Sequence, residues 1–171
     1  AAARDYFISG VKVVTNTSTG IVDTSDVIIR NGKVTQIGTD LTAPAGAGTI
    51  GGDGRWLTPG IFAPFSRLGL MDIGGEDVTN DSSSGESETS VSELASDSYN
   101  PKSVFVANTR RMGITHAVIS PSAAGHSIFG GTGAVVNLSG EYNSVENPAA
   151  FVFVQLGESG TNRAGGSRAA A

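Results

Sequence analysis

The chain has 171 residues, with 11 Lys+Arg against 16 Asp+Glu, a formal net charge of −5 and no cysteine. That length suits one domain, or one domain and part of a second. The acidic balance, without a basic stripe, argues against a nucleic-acid binder. Zero cysteine excludes disulfides and thiolate zinc sites. No run of 18 apolar residues offers a membrane span, and the 24 glycines follow no G-X-Y period, which excludes collagen.

In chain order, Tyr6 to Val14 reads as a strand with Gly10 as a bulge, followed by a turn of small polar residues, Asn16 to Gly20. Val27 to Arg30 and Lys33 to Ile37 flank Asn31-Gly32, a strong short-range hairpin signal. A small antiparallel sheet is therefore expected over the first fifty or so residues. Leu41 to Gly48 is a Pro/Gly/Ala loop, and Thr58-Pro59-Gly60 leads into an element at Ile61 to Phe65.

Between Arg67 and Lys102 the chain has no Lys or Arg but carries eight of its acids, Asp72, Glu76, Asp77, Asp81, Glu86, Glu88, Glu93 and Asp97. A solvated, Ser-rich acidic loop over 72–98 is the favoured reading. A calcium site is the alternative, but the D-x-D-x-D-G spacing is missing. Asn100-Pro101 predicts a helix N-terminus, with the helix running to Met112 and ending at Gly113. Ile114 to Ile119 then reads as a short buried strand, so that helix, glycine and strand form a parallel α/β step. A glycine-rich loop follows at Gly125 to Gly133, then strands at Ala134 to Leu138 and, buried, at Phe151 to Leu156. The chain closes on Gly165 to Ala171, which reads as a helix barely begun. It is expected to be processed, part of something longer, or completed by another chain.

Several of these phrases resemble the metal-dependent amidohydrolase superfamily, in its imidazolonepropionase-like group. Asp26 to Gly38 is similar to its opening hairpin, Gly52 to Gly60 to the approach to its first barrel strand, and Arg110 to Val118 to the helix-to-strand step that follows. Gly125 to Gly133 and Gly165 to Arg168 resemble an exported proteobacterial branch. With the small-residue start Ala1-Ala2-Ala3, this leads us to expect a periplasmic or secreted protein whose signal peptide has been removed.

The resemblance implies an α/β fold with a β-rich start. Part of a small β-sandwich is expected over 1–57, and the first strands of a (β/α)8 barrel over 58–171. A barrel needs about 250 residues, so this one is incomplete. The implied activity is hydrolysis of C–N bonds in small amides or cyclic imides by a metal-activated hydroxide. After Thr-Pro-Gly the family writes a strand ending D-x-H-x-H, whose two histidines face one way and bind the metal. Here Ala63 stands at the aspartate, and Phe65 and Arg67 at the histidines. Phe has no donor atom and Arg is a fixed cation. No metal ligand is expected in this chain, and no cofactor. A divalent ion such as zinc would need residues beyond it. The alternative is a non-catalytic structural or assembly module, a heteromer half or filament subunit on a degenerate amidohydrolase fold. The expected partners are the remainder of the same protein, another chain, or a second copy.

The catalytic candidates are His126, in the glycine-rich loop where barrel sites are built, and Arg67, which could hold a substrate carboxylate. Pairing of Arg67 with a following acid is the favoured structural reading. His116 reads as a hydrogen-bonded strand histidine. Gly130-Gly131-Thr132-Gly133 reads as a tight turn rather than an anion cradle, lacking the Walker lysine. Ser66 and Ser127 have no G-x-S-x-G elbow around them, and Trp56 reads as a core anchor.

Overall fold

The structure, a computed structural model, describes residues 4–73, 76–83 and 90–167. Parts of the acidic stretch, the Ala1-Ala2-Ala3 start and the helix expected at the very end lie outside the described residues. The chain divides into two compact units, Ala1–Pro59 and Gly60–Ala171.

In the first unit, β1 (Tyr6–Val14), β2 (Ile21–Arg30), β3 (Lys33–Gly38), β4 (Gly48–Gly51) and β5 (Trp56–Leu57) form one sheet in the order β3-β2-β1-β4, with β5 also on β1. Asn31 and Gly32 both take positive φ, 50° and 75°, the backbone that a two-residue hairpin between β2 and β3 requires. The antiparallel sheet expected over the first fifty or so residues is found for β1, β2 and β3, but β4 pairs parallel to β1, as does β5 beyond it. The loop 39–47 carries the chain back across the sheet, so β4 enters in the same sense as β1.

Gly10 sits in the expected bulge, with φ 63° and a register break between Ile8 and Val11. One carboxylate serves the irregularity. Asp26 Oδ1 accepts from Gly10 N at 3.0 Å and Oδ2 from Leu41 N at 3.0 Å, tying the bulge to the loop after β3. Asp26→Ala removes two charge-assisted bonds, and a loss of about 1–3 kcal/mol is expected in urea denaturation, with Asp26→Asn milder.

Ile8, Val11, Val13 and Val27 form the core of this unit. Beside it, Val13, Val27, Ile29, Val34, Ile37 and Leu57 line an open apolar hollow of about 810 Å³. Trp56 is not a core anchor. It is 58% exposed, and Lys12 Nζ lies 4.9 Å from its ring centroid. A two-residue strand at the edge of the sheet has no layer to bury an indole, so the ring meets a cation instead.

The second unit contains β6 (Ile61–Ser66), two 3-10 turns (Asp77–Thr79 and Ser90–Ser92), α1 (Ala95–Ser98), α2 (Val104–Arg111), β7 (Ile114–Ile119), β8 (Phe129–Asn137), β9 (Val145–Val154) and α3 (Gly157–Arg163). The sheet order is β6-β7-β8-β9. β6 and β7 are parallel, joined through α2, as the helix-glycine-strand pattern predicts, and Gly113 takes φ 91° after the helix. β8 and β9 are antiparallel and form a hairpin.

The helix starts later than expected. Ser103 is the N-cap of α2, its Oγ accepting from Phe105 N at 3.3 Å. Asn100 instead closes the preceding turn, with its Oδ1 accepting from Lys102 N at 3.0 Å. The acidic segment 72–98 is less loop-like than its composition suggests. It carries the two 3-10 turns and α1, and Ala95 joins Leu70, Tyr99, Val106, Ala117, Ile119, Ala134, Val136 and Leu138 in the main core.

Burial pushes the Tyr99 phenol above its ordinary value of 10.0. Ser144, which lies outside good hydrogen-bond geometry, and the Arg110 charge offset part of the effect. A raised folded-state value means that this contribution to stability is complete below about pH 10 and is lost as pH rises through the folded-state pKa. Tyr99→Phe removes a buried hydroxyl with no well-formed hydrogen bond. Its stability near neutral pH should stay within about 1 kcal/mol of the parent, and its alkaline unfolding should shift to higher pH.

Candidate functional site

Parallel α/β folds place chemistry at the C-terminal ends of their strands. In this chain that end is marked by Ser66 on β6 and Ile119 on β7, which are paired, and Ser120 N donates to Ser66 O at 2.9 Å. The β8–β9 hairpin runs past it. Ile119 pairs with Ala134, so Phe129 to Gly133 extend beyond the end of β7, with Phe151 to Val154 alongside.

This overhang explains the glycines of β8. The run Gly130-Gly131-Thr132-Gly133 is strand, not the tight turn its composition suggested. A Cβ on Gly130 would sit 2.7 Å from both Ala123 N and Phe153 Cδ1. One on Gly131 would sit 2.6 Å from Glu93 O, and one on Gly133 would meet the Phe151 ring. The glycines let the loop before β8, the segment at Glu93 and the β9 phenylalanines approach the strand. β9 itself is an edge strand. Phe151 and Phe153 are half-buried while Val152 and Val154 are exposed, which corrects the expectation of a fully buried strand.

On β6, Ala63 is half-buried and packs against the core. The Phe65 ring meets Phe153 with centroids 5.7 Å apart and planes tilted by 37°. Arg67 is exposed and forms no ion pair among the described residues, so the expected pairing with a following acid is not found. Among the described residues no three His, Cys, Asp or Glu side chains converge to hold a metal ion. The side chains present at the end of β6 do not fit a divalent cation, because an aromatic hydrocarbon and a guanidinium offer it no lone pair.

His116 lies near the opposite end of β7. Its Nδ1 is 2.9 Å from Thr115 Oγ1, and its Nε2 is 3.4 Å from Glu146 Oε1 on β9. Glu146 Oε1 also accepts from Asn137 Nδ2 at 3.1 Å, so the three side chains form a polar row across β7, β8 and β9. Ser66 Oγ accepts from Leu68 N, and Ser127 Oγ bonds the backbone of Phe129. Both hydroxyls therefore stabilise turns.

His126 has a different setting. With Gly125 it borders an open cleft of about 400 Å³, completed by Gln155 after β9 and by Ser159, Asn162 and Arg163 of α3. Arg163 Nη1 donates to Gly125 O at 2.9 Å, and Gln155 N to Ile128 O at 2.8 Å, which fixes α3 against the loop after β7. Arg67 does not line this cleft, so the two catalytic candidates are not brought together there. Sequence reasoning missed Gln155, Ser159, Asn162 and Arg163. α3 carries two glycines and no strong apolar period, and nothing local announces a contact between residues 125 and 163.

No family model matches the chain. It is 44% identical over 58 residues to a dihydroorotase of Trichlorobacter lovleyi and 39% identical over 58 residues to a dihydroorotase of Geobacter sulfurreducens. Each match covers 34% of this chain and 13% of the relative. The fold matches the crystal structure of an amidohydrolase from Thermotoga maritima with a TM-score of 0.81 over 96% of this chain, at 22% identity. The chain carries the N-terminal part of an amidohydrolase fold. It spans 44% of that amidohydrolase, less than half its length. Among the described residues, no helix is long and apolar enough to cross a membrane.

Proposed function

We propose that this chain is the front portion of an amidohydrolase-type hydrolase acting on C–N bonds of small amides or cyclic imides, in which the first barrel strand has given up its metal ligands. The hydrolase class is supported by the fold and by the dihydroorotase matches. The observation that supports the loss of ligands is the Phe65 side chain itself, a hydrocarbon ring that meets Phe153 with centroids 5.7 Å apart and offers a metal no lone pair. In this reading β6 contributes shape rather than ligands to the site, and any metal is held by strands beyond this chain. The reading includes an exported protein, supported only by the branch-like phrases around Gly125 to Gly133 and Gly165 to Arg168.

The test is hydrolysis of a panel of small amides and cyclic imides by the longest form of the protein, parent beside Phe65→Leu and Arg67→Gln. Measurable turnover that changes by less than about tenfold in both variants is expected, because neither residue holds the metal. A loss on the scale of a removed metal ligand in either variant contradicts the reading, and so does a protein inert on the whole panel.

A second reading, the non-catalytic assembly module, is favoured by one observation. β6 is an edge strand of its sheet, and Ile61, Phe62 and Phe65 are all half or more exposed along it. Such an edge pairs readily with another chain. Concentration-dependent sedimentation of the 171-residue chain, weakened by a lysine at Phe62, supports this reading; a strict monomer counts against it.

A further inference from the structure

The cleft between the loop after β7 and α3 has a chemistry of its own. Arg163 and His126 line it, with the amides of Gln155 and Asn162 and the hydroxyl of Ser159, and among the described residues no carboxylate lines it. In a chain of net charge −5 that is an uncommon concentration of donors. Arg163 is half-buried and anchored. One N–H donates to Gly125 O, and no ion pair with a described acid uses the rest of the guanidinium. A guanidinium already held in place loses little further freedom when it pairs with an anion, and its planar fork matches a carboxylate. The cleft also lies at the overhanging end of the β8–β9 hairpin, where Gln155 follows directly on Val154, the partner of Phe129.

We propose that this cleft binds a small organic carboxylate, with Arg163 as the principal anchor and His126, Gln155 and Asn162 as supporting donors. Assigning that carboxylate to the hydrolase's substrate rests on the functional reading above; the binding itself does not. The cleft lies beyond the C-terminal ends of the parallel strands, so it would hold the charged end of a substrate and leave the scissile amide free to face the strand ends. Arg163 is then a binding residue rather than a catalytic one.

The test is a titration of the isotopically labelled 171-residue chain with acetate, glutarate and inorganic phosphate, followed by amide chemical shifts. Acetate or glutarate should give saturable shifts at Gly125 and His126 and in the side-chain amides of Gln155 and Asn162. Arg163→Gln should weaken the binding about tenfold, the effect of losing one charge-assisted pair. Arg163→Lys keeps the charge and can still reach Gly125 O, so it guards against a loop that has merely lost its tie; it should bind better than the glutamine variant. Shifts that do not saturate overturn the proposal, as does binding that Arg163→Gln leaves unchanged. Saturable binding of phosphate that neither carboxylate displaces overturns the carboxylate assignment. Binding is read without turnover, so an inert protein that still binds glutarate removes the hydrolase reading and keeps the cleft, whereas an active protein with no anion binding removes the cleft alone.

Discussion

Gly131→Ala should destabilise the second unit by about 2–4 kcal/mol. Two costs coincide there. The backbone sits at φ 96°, a conformation that an L side chain rarely adopts. The new Cβ would also lie 2.6 Å from Glu93 O and 2.9 Å from Ser90 O, both backbone atoms that cannot rotate away. Those carbonyls belong to the segment that bridges onto β8, where Thr132 N donates to Glu93 O at 2.7 Å and Leu94 pairs with Thr132. The damage should therefore reach α1, whose Ala95 is part of the core. Urea denaturation gives the magnitude, and hydrogen exchange at residues 93–98 reports the detachment. A variant within about 0.5 kcal/mol of the parent would mean that β8 does not hold this segment closely.

Ile119→Ala should cost about 2–5 kcal/mol through lost transfer energy and the cavity left behind. Ile119 is fully buried among Val106, Ala134 and Val136, at the point where the parallel pair β6–β7 meets the antiparallel hairpin. Ile119→Val should cost only about 0.5–1.5 kcal/mol, because most of the volume is kept. Thermal or urea unfolding separates the two. Equal, small effects from both variants would place the centre of the core elsewhere.

The parts of this fold that were legible in the sequence are those fixed by local chemistry. Asn31-Gly32 announces its hairpin because both residues tolerate positive φ. The α2-Gly113-β7 step is legible because a helix, a left-handed cap and an apolar strand each leave a signature within a few residues. The start of α2 was misplaced because Asn100 and Ser103 are both good capping residues, and only the surrounding turn decides that Asn100 caps the turn and Ser103 the helix. The glycines of β8 were misread because their reason is distant. Gly133 answers to Phe151, and Gly131 to Glu93. The parallel entry of β4 and β5 was hidden for the same cause, since pairing sense depends on the path of a loop that carries no pattern. At the candidate site, Phe65 and Arg67 were found by their places in the phrase that follows Thr58-Pro59-Gly60, where the family resemblance implies two histidines. Their neighbours could not be found in this way: the Phe65–Phe153 contact spans 88 residues of chain and the Arg163–Gly125 bond spans 38.

With Phe65 and Arg67 at the end of β6, the 171-residue chain should hold no zinc of its own, and zinc binding tests this most directly. Equilibrium dialysis against zinc, with the bound metal counted per chain, should show no stoichiometric ion in the parent protein. The double variant Phe65→His with Arg67→His, which puts imidazoles at the end of β6 and just after it, should bind zinc measurably more tightly than the parent. One firmly held zinc per parent chain, unchanged by the double variant, would contradict the account and would require ligands in this chain that neither the motif nor the geometry of β6 provides.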